Sequence, residues 1–147
     1  MDTLEYKYQK ICQALKTLKI AIDNFDEVNA MKSTPLAFTN YDGMRKTYRD
    51  SLIQRFEFSA DLFWKYLKKY LELIAKQPDV NGPGPVIRAS FAAALLDEKE
   101  AEDALEMIKA RNLTSHMYIE KIAEQLSKQI PAFYLLMQST INKLQLK

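Results

Sequence analysis

Seven apolar side chains open the sequence at alternating steps of four and three: Leu4, Tyr8, Ile11, Leu15, Leu18, Ile22 and Phe25. That interval keeps one face of a helix turned toward a partner, whereas a half-buried strand alternates every second residue. The rhythm returns in Ile53, Phe56, Ala60, Phe63, Leu67, Tyr70 and Ile74, and again in Ile119, Ile122, Leu126, Ile130, Phe133, Met137, Ile141 and Leu144. A chain made of such stretches has to pack helix on helix.

The punctuation between the stretches sets the elements. FDEVNAMKSTPLAFTNYDG (25–43) lacks a helical period and contains Pro35 and Gly43, which predicts a connection of roughly 15 residues, long enough for a crossover or a functional loop. A long helix is expected from about Met44 to Lys76. Its second apolar set, Phe58, Leu62, Tyr66 and Leu73, lies on another side of the cylinder, so this helix either sits centrally or meets a second chain.

QPDVNGPGP interrupts the chain, and Pro85 suits the first turn of a short helix, VIRASFAAALL. Asp97 and Glu100 have capping-box spacing, so DEKEAEDALEMIKAR predicts a fourth helix with Ala101, Ala104, Leu105 and Ile108 inward. The last helix is expected from Tyr118 to about Leu146, kinked at Pro131, because proline deletes the bond to the carbonyl four residues back. The expected fold is all-α: one domain over 1–147, an antiparallel up-and-down bundle of four main helices plus one short helix, with the last kinked at Pro131.

Composition narrows the function classes. The lone cysteine, Cys12, has no internal disulfide partner, and MDTLEYKYQK lacks the apolar segment of a secretory signal, so a cytoplasmic protein is expected. No apolar run approaches the ~20 residues of a membrane span. A net charge of +2 is too mild to demand nucleic acid. One cysteine and one histidine do not make a Cys/His zinc site within one chain, and no G-x-x-x-x-G-K-S/T loop occurs, so no metal or cofactor is expected. An exposed helix face explains the acidic cluster Glu98, Glu100, Glu102 and Asp103. Lys65, Lys68 and Lys69 form a basic patch at helical spacing, either solvated or in contact with RNA or a partner.

The only histidine lies in RNLTSHMY (111–118), where the apolar pattern of the fourth helix gives out. Arg111 continues the flank of an inward stripe, a costly place for a cation. In an unbroken helix, Arg111 and His116 would stand about 140° apart, too far round to serve one small ligand. The helix is therefore expected to end between them, where Asn112, Thr114 and Ser115 compete for backbone hydrogen bonds. Past the break His116 folds back beside Arg111. Two readings stay open on these residues: a small anion site, or Arg111 capping a helix C-terminus while His116 merely begins the next helix.

Three segments taken together carry a family resemblance. RNLTSHMY resembles the R-x-x-x-x-H-x-Y signature of HEPN-domain proteins; QRFEFSADLFWKYLKKYL (54–71) and GPGPVIRASFAAALL (82–96) resemble that family's F-E-x-x-x-x-L-x-W-K-x-L-K and P-x-x-x-I-R-x-x-F segments. The best-matching group is the nucleotidyltransferase substrate-binding proteins. The sequence departs from the pattern at Asp61, where glutamate is usual, and at Ala94, where glycine is common; both are expected to alter packing more than the Arg/His site.

The resemblance implies a toxin–antitoxin pair with a minimal nucleotidyltransferase encoded nearby, a homodimer with two motifs facing each other, and metal-independent RNA cleavage. In-line attack of a 2′-hydroxyl on its phosphate needs a proton acceptor and donor and a fixed positive charge. His116 suits general acid/base work, Arg111 offers phosphate a planar fork of donors, and Asn112 would position the phosphate or the histidine. Tyr118 is either an ordinary packing aromatic or, as the resemblance implies, the hydroxyl that receives AMP from ATP. A non-catalytic binding subunit and a structural helical adaptor are the alternatives to a ribonuclease.

Overall fold

Residues 3–31 and 40–145 are described by the structure, a computed structural model. Helix α1 (Leu4–Ala30) begins at Thr3, whose hydroxyl accepts the Tyr6 amide. Its periodic residues face inward: Leu4, Ile11, Leu15, Leu18, Ile22 and Phe25 are buried, and Tyr8 is half-buried. Helix α2 (Tyr41–Leu73) starts and stops three residues earlier than its periodicity predicts. Gly43, assigned above to the connection, lies in its first turn. Asn40 caps the helix by accepting the Gly43 amide at 3.0 Å, and a Cβ on residue 43 would lie 2.7 Å from Asn40 Nδ2. The connection is thus shorter than 25–43, since α1 runs to Ala30 and α2 starts at Tyr41; Pro35 lies outside the described residues.

α2 touches every other helix, which explains its apolar character on more than one side. Phe56, Ala60, Phe63 and Leu67 are buried, as spacing predicts. The second set divides: Tyr66 is buried and Leu62 half-buried, but Phe58 and Leu73 are exposed. Ile74, placed inward by spacing, is exposed because the helix stops at Leu73 and Lys76 turns left-handed at φ 57°.

Helix α3 (Pro83–Ala92) carries both Pro83 and Pro85 in its first turn and ends four residues before the predicted Leu96. It closes in a Schellman turn: the Leu95 amide donates to the Ser90 carbonyl at 2.9 Å and the Ala94 amide to the Phe91 carbonyl at 3.0 Å. Ala94 occupies the left-handed position at φ 62°. A Cβ there costs about 1–2 kcal/mol, part of which a glycine returns through its freer unfolded chain. Ala94→Gly is therefore expected to stabilise by about 1 kcal/mol, seen as a rise of about 3 °C in melting temperature.

Helix α4 (Glu98–Leu113) starts with both bonds of the capping box, Glu100 amide to Asp97 at 2.8 Å and Asp97 amide to Glu100 at 2.9 Å. Ala101, Ala104 and Ile108 are buried and Leu105 is half-buried. Helix α5 (Glu120–Lys143) begins two residues later than expected and runs unbroken through Pro131.

Cross-links give the directions. Tyr41 Oη donates to the Val28 carbonyl at 2.9 Å, joining the end of α1 to the start of α2, so the two run antiparallel. Lys143 pairs with Glu100 at 2.7 Å, joining the end of α5 to the start of α4. Arg49 reaches Glu120, and Tyr66 Oη donates to the Leu144 carbonyl at 2.9 Å, so α2 and α5 point the same way. Successive main helices therefore alternate in direction, as in an up-and-down bundle. Among the described residues, no helix is long and apolar enough to cross a membrane.

Candidate functional site

The α4–α5 elbow forms where side chains take over the last carbonyls of α4. The helix ends at Leu113 and tightens into a 3-10 turn, Thr114–His116, before α5 resumes at Glu120. Thr114 Oγ1 lies 2.7 Å from the Arg111 carbonyl, and Ser115 Oγ donates to the Asn112 carbonyl at 3.1 Å. The break falls where the hydroxyl-rich sequence predicts it, and by that mechanism.

Arg111 points back onto α2. Its Nε donates to Asp61 Oδ1 at 2.7 Å and Nη2 to Asp61 Oδ2 at 3.0 Å, a bidentate pair. Nη1 reaches Glu57 Oε2 at 3.3 Å and Thr114 Oγ1 at 3.2 Å. Thr114 Oγ1 is also within reach of Glu57, its single proton serving Glu57 or the Arg111 carbonyl at any moment. The hydrogen bond to Asp61, more than Coulombic attraction to Asp61 and Glu57, raises the Arg111 pKa, so this guanidinium stays charged at any physiological pH. With both partners about one-third exposed, the pair contributes on the order of 1 kcal/mol. Its larger effect is geometric: it anchors the elbow to α2.

Four of the five Arg111 N–H donors are thus engaged within the chain. Asp61, treated above as a packing departure, is the carboxylate that fixes Arg111, so the site does involve it. Asn112 is exposed and shares a hollow of about 300 Å³ with Arg111, Asp61, Trp64 and Lys65. His116 is exposed, and among the described residues its imidazole makes no hydrogen bond or ion pair; its ring contact is with Tyr118, 6.2 Å between centroids. No hydrogen bond joins His116 to Arg111. Tyr118 is 76% exposed, and Leu113 and Ile119 of the same elbow are exposed apolar side chains.

A second cluster holds the far side of the elbow. Arg49 on α2, 2% exposed, donates to Glu120 at 2.8 Å and to Glu124 at 3.1 Å on the first turns of α5, and also to Asp50. Arg45 forks onto Glu124 at 2.6 and 2.9 Å. The hydrogen bond from Arg45, with that from Arg49, pulls the Glu124 pKa down to about 2 despite partial burial. Sequence reading missed Arg45, Arg49 and Glu57, and read Thr114 only as a helix-ending hydroxyl, not as a neighbour of Arg111 and Glu57. A signal existed: Arg45, Arg49, Glu57 and Asp61, with Ile53 between them, share the four-residue interval that lines one side of a helix, a charged row beside the apolar stripe.

Residues 6–146 match the family model described as "Nucleotidyltransferase substrate binding protein like". The chain belongs to the nucleotidyltransferase substrate-binding family. A crystal structure of a protein from Thermus thermophilus shares this fold, with 30% sequence identity over 88% of this chain and 99% of that one, at a TM-score of 0.66. No curated protein matches the chain. The family name associates such chains with a nucleotidyltransferase.

Proposed function

We propose that this chain is the partner of a minimal nucleotidyltransferase encoded nearby, and that the α4–α5 elbow is what the enzyme acts on, with Tyr118 as the acceptor of AMP. The observation that carries this reading is the exposure of Tyr118 on a turn clamped at both flanks, by Arg111 to Asp61 and by Arg49 to Glu120. A clamped, exposed hydroxyl loses little further conformational freedom on docking. In the transfer, Tyr118 Oη bonds to the α-phosphorus of ATP, the bond from that phosphorus to its bridging oxygen breaks, pyrophosphate departs, and the phenolic proton passes to solvent or to a base of the enzyme.

Leu113 and Ile119 supply an apolar rim for the docked enzyme. Purified together, the two proteins are expected to elute as one complex, which Leu113→Asp breaks and Ile20→Asp, on the exposed face of α1, leaves intact. The reverse outcome would move the interface to α1 and remove the elbow from this reading.

RNA cleavage is a second reading, favoured by the unengaged imidazole of His116. The 2′-hydroxyl would attack the adjacent phosphorus and expel the 5′-oxygen, leaving a 2′,3′-cyclic phosphate, with no metal needed. One proton must be taken and one returned, while each chain has a single histidine, so a homodimer with facing elbows supplies both roles. Arg111 would have to exchange a carboxylate for the phosphate, and Asn112 would position either group. In this reading AMP on Tyr118, carrying a negative charge beside His116, would occlude the phosphate and silence a toxin.

A further inference from the structure

The seam between α1 and α2 carries an open groove. Two hollows along it, of about 380 and 230 Å³, share Thr17 and Arg55 and so run together end to end. We propose that this groove is the docking site for an amphipathic helix of another protein, its apolar face seated between α1 and α2 and its acidic flanks on Arg55 and Lys10.

Shape and exposure suit a helix. From Lys10 to Asn24 the groove follows α1 for about 21 Å, room for an occupant of about 15 residues. On the α1 side it is lined by Ala14, Thr17 and Ala21, half-buried residues at steps of three and four whose small size lets another helix approach closely. Large apolar side chains that the core does not use stand along the same groove: Ile20 is 59% and Phe58 57% exposed, and Tyr48 is exposed at the far end. Singly such residues are ordinary on a surface; grouped along one groove they mark a contact for a partner.

Charge selects the occupant. The lining residues include two cations, Lys10 and Arg55, and no carboxylate. The Arg55 guanidinium has no hydrogen bond or ion pair among the described residues, and Lys10 Nζ lies 5.2 Å from the Tyr6 ring centroid, a contact that leaves its charge unneutralised. Arg55 belongs to both hollows, so it stands mid-groove, where a carboxylate of the occupant would meet its planar fork. A second copy of this chain is a poorer occupant: a two-fold contact sets the same patch on both sides, and like charges would then meet without a carboxylate between them. The groove is separate from the elbow. Glu57 and Asp61 reach Arg111 from one side of α2, whereas Phe58 and Leu62 line the seam with α1.

The probe is a fluorescein-labelled peptide of about 15 residues, with leucines at helical spacing on one face and glutamates on its flanks. It is titrated into the full chain alone and followed by anisotropy, so the outcome is independent of any transferase and of Tyr118. A twin peptide carries lysines in place of the glutamates, and light scattering gives the mass of the free chain. The acidic peptide is expected to bind saturably, at least about tenfold more tightly than its lysine twin, and to weaken with salt. Phe58→Asp is expected to abolish binding with an unchanged melting temperature, Arg55→Glu to reverse the preference between the two peptides, and Leu113→Asp, on the elbow, to change nothing. No saturable binding, equal affinity for the two peptides, or an unchanged preference in Arg55→Glu would each overturn the proposal. So would a dimer of the free chain that Phe58→Asp splits, which gives the groove to a second copy, or sedimentation with phosphatidylserine vesicles that Phe58→Asp abolishes, which gives it to a membrane surface.

Discussion

Replacing Arg49 with alanine is expected to lower the melting temperature by roughly 6–12 °C, the equivalent of about 2–3 kcal/mol for a chain of this size. Arg49 is the most deeply buried cation of the described residues, at 2% exposure, and it neutralises Glu120 and Glu124 where α2 meets α5. Removing one partner of a buried pair costs about 3–5 kcal/mol when the other is left dry. Here Glu120 and Glu124 are themselves half and one-third exposed and can rehydrate, which brings the figure down. Acid provides a check on the same cluster. Glu124 titrates near 2 when folded, below its ordinary value, so its stabilising contribution is complete above about pH 4.3 and is lost as pH falls toward 2. Urea denaturation of the wild type should show that slope, and Arg49→Ala should flatten it.

RNA cleavage, if this chain carries it out, is expected to fall by about 10²- to 10⁴-fold in His116→Ala, the range that positioned acid/base catalysis supplies. The substrate would be incubated with EDTA present and the products assayed for 2′,3′-cyclic ends. Asp61→Asn gives the opposite expectation. Arg111 gives four of its five donors to Asp61, Glu57 and Thr114, and a neutral amide at 61 frees part of that fork for phosphate. Cleavage should rise, or RNA binding tighten, in that variant. A His116→Ala protein that cuts at the wild-type rate would leave the binding-partner role as the only one for this elbow.

The helices were legible because an amphipathic period survives most local irregularities: of the residues spaced by three and four on α1 and α5, all are core or half-buried except Ile119, which precedes the first turn of α5 and is exposed. Ends were less legible. Periodicity says which face is buried but not where backbone groups change partners, so Gly43, Ile74 and the α3 terminus depended on caps that only the folded chain displays. The elbow was placed from Asn112, Thr114 and Ser115, since competition for backbone bonds is a local property. The partners of Arg111 were not, because Asp61 and Glu57 lie fifty or more residues away and reach it only once α4 packs on α2. Arg49 escaped notice for the same reason.

Incubating the chain with its cognate nucleotidyltransferase and ATP, then measuring intact mass and mapping the modified peptide, tests the central claim most directly. The expected result is added AMP on Tyr118, alone among the eight tyrosines, and none on Tyr118→Phe. An unmodified wild type in the presence of an active transferase, or AMP carried equally by Tyr118→Phe, would contradict it.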